Sequence, residues 1–231
     1  MRSFRLSAAF FCLSLLGTAA AAEADLSGVW VLEGRATERE LVMTGKALAT
    51  QAQYDLLNDD PSLLCEPASL SRVWANPNSR FRIEQNADEI LISFELFDLR
   101  RRIPIGDARA MSDKPSTTNL DGQYFQKMGS SFAWYEGDHL FIETRKHSPG
   151  YIRTSRGIPQ SEETVATEEF WLDGDTLRLK LTYEDETLFE IPFIIDHRFE
   201  RIEDADILPY NCEGAGYDWF EKLNAPQEDE P

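Results

Sequence analysis

The run Leu177-Arg178-Leu179-Lys180-Leu181-Thr182-Tyr183-Glu184 alternates apolar and polar residues without a break. A period of two places successive side chains on opposite faces of a β-strand, so this run predicts a strand with one buried and one solvated face. Asp173-Gly174-Asp175 lies before it, and the glycine suits the positive φ that a tight hairpin turn requires. Residues 164–172 are therefore predicted to be the antiparallel partner strand.

The same pattern recurs along the chain in both directions. Alternating segments cover residues 80–84, 90–96, 99–105, 131–144 and 189–202, and the fourth is divided by a Glu136-Gly137-Asp138 turn. Polar insertions with glycine and proline, residues 106–128 and 146–163, are too long for tight hairpins. We count about nine strands, nearly all antiparallel neighbours. This predicts an all-β domain that forms a single antiparallel barrel of about 8–10 strands with long loops.

One short helix is predicted near the N-terminus of this domain. Thr44 is a favourable N-cap residue, and residues 45–57 carry alanines and leucines near helical spacing. The sequence Asn58-Asp59-Asp60-Pro61 ends that pattern. Residues 58–79, with three prolines, are predicted to be loop and contain Cys65.

The first 24 residues have the parts of a secretory signal peptide. Arg2 and Arg5 precede an uncharged run from residue 8 to residue 16, and small residues follow from Ala19 to Ala24. We expect cleavage after Ala22 or Ala24. The alternative is an uncleaved anchor, but the run is shorter than the roughly 20 residues that span a bilayer. The sequence thus predicts a periplasmic or secreted protein with no membrane span, with a domain at 25–225 and a disordered acidic tail at 226–231.

The charge of the chain bears on its partners. The full sequence has 23 basic and 41 acidic residues, and without residues 1–24 the numbers are 21 and 40, a net charge of −19. A strongly negative field opposes contacts with phosphate, so nucleic acid is excluded as an expected partner. The oligomeric state is left open by the sequence.

Two cysteines follow the signal segment, Cys65 and Cys212. An even pair in an oxidising compartment predicts one disulfide, although two separate buried thiols would have the same sequence signature. The histidines at 139, 147 and 197 are scattered without the spacing of metal ligands. We therefore expect no metal site and no cofactor.

An ordered series of short motifs covers nearly all of the chain after the signal segment. The motifs are Asp25 to Trp30, Thr44 to Ala47, Asp60-Pro61, Cys65 to Pro67, Arg101 to Ile103, Gly129 to Ser131, Trp134 to Leu140, Gly157 to Glu162, Glu168 to Phe170 and Tyr210 to Glu213. In this order they resemble a family of uncharacterised secreted bacterial proteins of lipocalin-like, calycin-type β-barrel fold, and the order is more specific than any one motif.

The resemblance implies a barrel whose first strand carries a Gly-x-Trp element, here Gly28 and Trp30, with the indole closing one end. It also implies export. At two positions where the family pattern has histidine, this chain has Ser130 and Gln160. The resemblance supplies no reaction.

Two polar residues fall in apolar rows of predicted strands. Arg101 shares a row with Leu99 and Ile103, and His197 lies among the apolar residues 189–199. Alternation predicts that both side chains point inward. A buried arginine needs an acceptor, and Glu143 and Glu169 are the carboxylates we expect to supply it. Such a group either orients a ligand with an acidic or carbonyl group, or forms an internal salt bridge that fixes the strand register.

The leading functional hypothesis is an exported barrel that binds a small hydrophobic molecule. Predicted ligand contacts are Arg101, Phe94, Trp134, Tyr135 and Trp171, although the same aromatics would also fill a solid core. A second hypothesis is a cofactor-free isomerase, hydratase or cyclase with His197, Glu143 and Glu169 as acid and base. A third is a non-catalytic module that meets an envelope partner.

Overall fold

A computed structural model describes residues 24–213. The predicted signal peptide, apart from Ala24, and the predicted tail at 226–231 lie outside the described residues. The thirteen strands of the described region are β1 (Gly28–Leu32), β2 (Thr37–Glu38), β3 (Arg80–Gln85), β4 (Glu89–Phe94), β5 (Arg100–Pro104), β6 (Thr117–Thr118), β7 (Ser130–Glu136), β8 (His139–Arg145), β9 (Gly150–Arg153), β10 (Ile158–Gln160), β11 (Val165–Asp173), β12 (Thr176–Glu184) and β13 (Phe193–Arg201).

Eleven of these strands form one antiparallel sheet in the order β6-β5-β4-β3-β1-β13-β12-β11-β8-β7, with β2 paired to β13. The sheet curves so that the end of β5 approaches β7, where Ile105 and Ala133 form an isolated parallel bridge and the Gly106 N–H donates to the Ala133 carbonyl over 2.8 Å. The fold is therefore all-β, antiparallel and barrel-like, as predicted. The extra strands relative to the expected number are mostly segments of two to four residues.

Two tight hairpins confirm the predicted turns. Strands β11 and β12 pair through Asp173 and Thr176, and Gly174 between them has a φ of 62°. Strands β7 and β8 pair through Glu136 and His139, and Gly137 has a φ of 65°. Because only glycine adopts this backbone conformation without strain, these two residues set the register of the central strands.

The helices differ from the sequence prediction. Helix α1 (Gly45–Gln51) begins as predicted, with Thr44 Oγ1 accepting from the Ala47 N–H over 3.3 Å. It ends before Leu57, because Asp55 caps a separate helix, α2 (Leu56–Asp59). A third helix, α3 (Leu70–Trp74), lies in the segment predicted to be loop. Helix α3 has only five residues, which are too few for a periodic pattern to indicate a helix.

One end of the barrel is closed by Trp30, which is fully buried. Its indole N–H donates to the Leu26 carbonyl over 3.0 Å, and the Arg201 guanidinium lies 4.2 Å from the centre of the ring. Most strands direct apolar side chains into the interior of the barrel. The opposite end, which we call the mouth, is covered by the three α-helices and the β9–β10 hairpin.

The disulfide between Cys65 and Cys212 is confirmed, with 5.9 Å between the two Cα atoms. The segment after β13 runs along the outside of β3, where Asp206 pairs with Arg82 over 2.9 Å. It then reaches Cys65 at the mouth. The bridge therefore ties the end of the described chain to the loop that leads into α3.

No helix within residues 24–213 combines the length and the apolar character needed to cross a membrane.

Candidate functional site

The centre of the barrel is occupied by the indole of Trp74, which α3 carries into the mouth. All residues of α3 except Arg72 are buried. Four phenylalanine rings surround the indole, with centroid distances of 4.9 to 5.8 Å and mostly edge-to-face geometry, the favourable arrangement for aromatic pairs. These rings belong to Phe81, Phe94, Phe170 and Phe199.

Trp74 also makes the polar contact that links α3 to the barrel wall. Its Nε1–H donates to Glu168 Oε1 over 2.6 Å. Glu168 receives two further hydrogen bonds from Arg101, over 2.8 Å to Oε1 and 2.6 Å to Oε2. Arg101 Nη2 also lies 3.0 Å from Ser131 Oγ and 2.9 Å from Thr144 Oγ1. The site is thus a network of polar groups below one aromatic ring.

The network is completely removed from solvent. The side chains of Arg101 and Glu168 are both 0% exposed. A buried ion pair is maintained only if each charge keeps its hydrogen bonds, because the cost of desolvation is several kcal/mol per ion. Here the guanidinium and carboxylate meet in the bidentate geometry that best offsets that cost. In the described structure both Nη atoms of Arg101 are paired internally, and its Nε has no hydrogen-bond partner among the described residues.

The partner of Arg101 is a correction to the sequence analysis, which expected Glu143 or Glu169. Both side chains lie on the outer face of the barrel. Glu143 accepts from Arg145 Nε over 2.6 Å, and Glu169 pairs with Lys180 and lies 2.9 Å from His139 Nδ1. Burial raises the pKa of Glu169, but these two partners outweigh it and leave the pKa below its usual value.

The predicted inward orientation of His197 is confirmed, since it is 1% exposed. Neither ring nitrogen has a hydrogen-bond partner among the described residues. Burial lowers the pKa of His197 to about 3, and the charge of Arg153 acts in the same direction. The imidazole is therefore neutral at physiological pH. The wall of the barrel separates it from Glu143 and Glu169, so the predicted acid–base group is not assembled.

The other predicted contacts are divided between the two faces. Phe94 lies inside, against Trp74. The Tyr135 hydroxyl accepts from Gln85 Nε2 over 2.8 Å. Trp134 and Trp171 lie outside, contrary to the expectation that they line the interior. Trp134 stacks on Phe141 at 5.3 Å, and Trp171 stacks on His139 at 5.3 Å, in a row that crosses β7, β8 and β11.

At the level of Glu168 the side chains of the barrel wall leave no water-sized gap against their neighbours. A residue that borders an internal space wide enough for water has accessible surface, even when that space is closed to the outside. Several wall residues at the level of Glu168 have none: they are Ala133, Ile142, Leu181 and Ile195, each 0% exposed. The barrel is filled at this level by the chain itself.

A cavity of about 430 Å³ lies at the mouth, on the side of α3 that faces away from the barrel centre. Its lining includes Arg72 and Ala75 from the α3 segment, Leu56 from α2, and residues 152–155. Leu56 is 49% exposed. The helix that fills the barrel therefore has open space beside it.

The predicted site residues included neither Glu168 nor Trp74, the two residues that define the site. Glu168 lies between Ala166 and Phe170 on the inner face of β11, and that spacing is the signal that identifies it. Trp171 on the opposite face made the other row appear equally apolar. Trp74 has no such signal, because its burial depends on where α3 is placed by the chain on either side of it.

No family model matches the sequence, and no curated protein sequence matches it. In overall structure the chain is similar to two point mutants of the fluorescent protein UnaG, at 11% identity and TM-scores of 0.40 and 0.41, over 78% of this chain and 97% of that chain. It is also similar to zebrafish ileal bile acid-binding protein complexed with cholic acid, at 12% identity and a TM-score of 0.37, over 76% and 98% of the two chains. The strand order and antiparallel pairing are those of an all-β, barrel-like fold. The ligands that those proteins bind are not assigned to this chain.

Proposed function

We propose that this protein is exported and binds a small hydrophobic molecule inside the barrel, in the place that Trp74 occupies in the described structure. One observation carries the proposal: the group at the centre of the barrel comes from a five-residue helix at the mouth, not from a strand of the wall. A helix between two loops moves without breaking the sheet. Binding then requires α3 to leave, and the aromatic wall to accept another ring system.

The attachment of α3 supports such a movement. Ser69 Oγ donates to the Ile152 carbonyl over 2.7 Å, the Ser71 N–H donates to the Tyr183 hydroxyl over 2.9 Å, and Trp74 donates to Glu168. These bonds join α3 to β9 and to the interior by side chains rather than by a strand ladder. Because no strand ladder holds α3, we expect it to open at lower free energy than the core strands.

The dimensions of the site also support the proposal. Pockets for small molecules typically enclose about 300–1,000 Å³ and are lined by apolar and aromatic side chains with a few polar groups. Removing α3 exposes four phenylalanines and the Glu168 network. The cavity of about 430 Å³ beside α3 provides space into which the helix can shift. The Cys65–Cys212 bridge keeps the segment attached while it moves.

Export is proposed on the N-terminal sequence and on the cysteine pair. A single disulfide that joins distant parts of a domain is typical of proteins from oxidising compartments. Fractionation of the native host tests this part: the protein is expected in the periplasmic or extracellular fraction, shortened by 22 or 24 residues. A full-length cytosolic protein would contradict it.

The binding proposal is tested by native mass spectrometry of the protein purified from its own host. The expected spectrum contains a mass increment from a bound hydrophobic molecule, which disappears after unfolding and extraction. A matched control is Trp171→Ala, which alters the outer face and should retain the same increment. A wild-type spectrum without the mass increment would contradict the proposal. An increment that is present in the wild-type protein but lost in Trp171→Ala would also contradict it.

A second candidate function is a non-catalytic envelope interaction module. The filled interior favours it, together with the outer row of Trp134, Phe141, His139 and Trp171. Aromatic side chains are enriched at protein interfaces. In this case Trp171→Ala should abolish co-purification of a partner protein, whereas substitutions at Trp74 should affect only folding stability.

A further inference from the structure

We propose that the ligand of this barrel is a planar aromatic molecule that donates an N–H or O–H hydrogen bond to Glu168, and not a carboxylic acid. This inference rests on the proposed function, since it concerns the molecule that replaces Trp74. The indole of Trp74 already has the chemistry that the site selects. Its ring fills the aromatic wall and its N–H is bound by a buried carboxylate.

The first step concerns the charges inside the barrel. Arg101 and Glu168 neutralise each other, with both Glu168 oxygens within 2.8 Å of the guanidinium. A ligand carboxylate would bring a second negative charge into a buried space where Arg101 is already paired with Glu168. Such an arrangement is strongly unfavourable in a low dielectric. Of the two sequence-based alternatives for Arg101, the structure shows the internal salt bridge, and the ligand that we propose is neutral rather than acidic.

The second step concerns which hydrogen bonds α3 gives up when it leaves. Glu168 Oε1 loses the Trp74 N–H at 2.6 Å, and the Tyr183 hydroxyl oxygen loses the Ser71 N–H at 2.9 Å. Both atoms are acceptors, and both residues are 0% exposed. Arg101 still donates to Glu168 Oε1, but a buried acceptor that loses one of its donors loses part of the compensation for its desolvation. The incoming molecule must therefore supply donors, and Glu168, being charged, has the stronger requirement.

The third step concerns shape. The Phe81, Phe94 and Phe170 rings meet the Trp74 ring at interplanar angles of 80°, 64° and 68°. Edge-to-face contacts of this kind favour a flat ring system over a flexible chain. His197 lies in the same interior, and its two ring nitrogens, which have no hydrogen-bond partner within residues 24–213, can bond to a further polar atom of the ligand.

Carbazole and N-methylcarbazole are a matched pair that tests the inference, because they share a flat aromatic frame and differ in the N–H. Their affinities for the wild-type protein are measured by fluorescence titration. We expect carbazole to bind at least about tenfold more tightly, since the methylated probe does not replace the N–H donor that Glu168 Oε1 loses with Trp74. Equal affinity, or tighter binding of N-methylcarbazole, would overturn the inference.

The same pair on Trp74→Ala separates this inference from the proposed function. If the wild-type protein binds neither probe but Trp74→Ala prefers carbazole at least about tenfold, the donor requirement is supported and the opening of α3 is not. Trp74→Leu, a smaller loss of volume, replaces Trp74→Ala if that variant does not fold. Absence of binding to the wild-type protein and to the folded variant overturns the inference.

A carboxylated probe completes the test of ligand class. Carbazole-3-carboxylate keeps the ring and the N–H and adds a negative charge. We expect it to bind more weakly than carbazole at neutral pH, because the charge enters a space in which Arg101 is already paired. Tighter binding of the carboxylate would show that Arg101 exchanges Glu168 for the ligand, which contradicts the inference.

Discussion

The indole N–H of Trp74 donates to Glu168 Oε1 over 2.6 Å, although the two residues are 94 positions apart in sequence. Through this bond α3, which lies at the mouth of the barrel, is joined to an ion pair in the barrel wall. An acidic group so deep in an apolar interior needs every donor it receives, because each missing one leaves charge without compensation. The contact therefore links the position of α3 to the electrostatics of the barrel.

Trp74→Phe isolates the contribution of this hydrogen bond. The substitution keeps an aromatic ring among the four phenylalanines and removes the donor, so we expect a loss of about 1.5–3 kcal/mol in the free energy of unfolding. Urea denaturation followed by circular dichroism measures it. Trp171→Phe on the outer face is the control, with an expected loss below about 1 kcal/mol. Equal losses in both variants would mean that the Glu168 contact contributes nothing specific.

Arg101→Met should be one of the most destabilising substitutions in the chain. It leaves the Glu168 carboxylate buried without its counter-ion, and we expect a cost of about 3–5 kcal/mol. Arg101→Met combined with Glu168→Gln should recover a large part of this loss, because glutamine is neutral and still accepts from Trp74. Arg102→Met on the exposed face should stay within about 0.5 kcal/mol of the wild-type protein. A double variant no more stable than Arg101→Met would refute this account of the pair.

The disulfide between Cys65 and Cys212 spans 147 residues in sequence. In the chain-entropy account a loop of this length stabilises the folded state by up to about 5 kcal/mol. Cys65→Ser with Cys212→Ser should lower the midpoint of urea unfolding and increase hydrogen exchange in α3, which follows Cys65 in the chain. If the midpoint falls while exchange in α3 stays unchanged relative to the strands, the bridge stabilises the domain without holding α3.

Stability should fall as the solution is acidified from pH 6.5 toward pH 3. Burial lowers the pKa of His197 to about 3 in the folded state, whereas the unfolded chain keeps the ordinary value of 6.5. Between these values the unfolded state binds more protons, so unfolding becomes easier as the pH falls, by about 1.4 kcal/mol per pH unit. Burial also lowers the pKa of His147, which adds a slope of the same sign.

His197→Leu tests the contribution of this histidine to the pH dependence. The variant should lose less stability than the wild-type protein over the same interval, measured by urea titrations at several pH values. A slope identical to that of the wild-type protein would show that His197 is protonated or solvated in the folded state. The urea m-value should be unchanged if only protonation is altered.

The barrel was predictable from the sequence because its strands repeat one simple pattern. The run 177–184 alternates so regularly that its inner and outer faces follow directly, and Gly137 and Gly174 fix the hairpins. The inward orientation of Arg101 and His197 followed from the same alternation. The disulfide followed from the number of cysteines after the predicted signal peptide.

The site itself was not predictable in the same way. Strand β11 carries large apolar residues on both faces, Phe170 inside and Trp171 outside, so alternation alone did not decide whether Glu168 or Glu169 is buried. The burial of Trp74 is a tertiary effect: α3 is short, and its place in the barrel depends on Ser69, Ser71 and the chain around them. Sequence patterns do not predict where such a short helix lies in the fold.

The Ser71 amide, which donates to the Tyr183 hydroxyl, reports most directly on whether α3 moves. Hydrogen exchange of the wild-type protein, followed by NMR without added ligand, compares it with the amide of Leu179 in β12. We predict that Ser71 exchanges through local opening, with an exchange free energy at least about 2 kcal/mol below that of Leu179 and little dependence on dilute urea. Exchange of Ser71 at the same free energy and urea dependence as Leu179 would mean that α3 leaves only on global unfolding, and would contradict binding in its place.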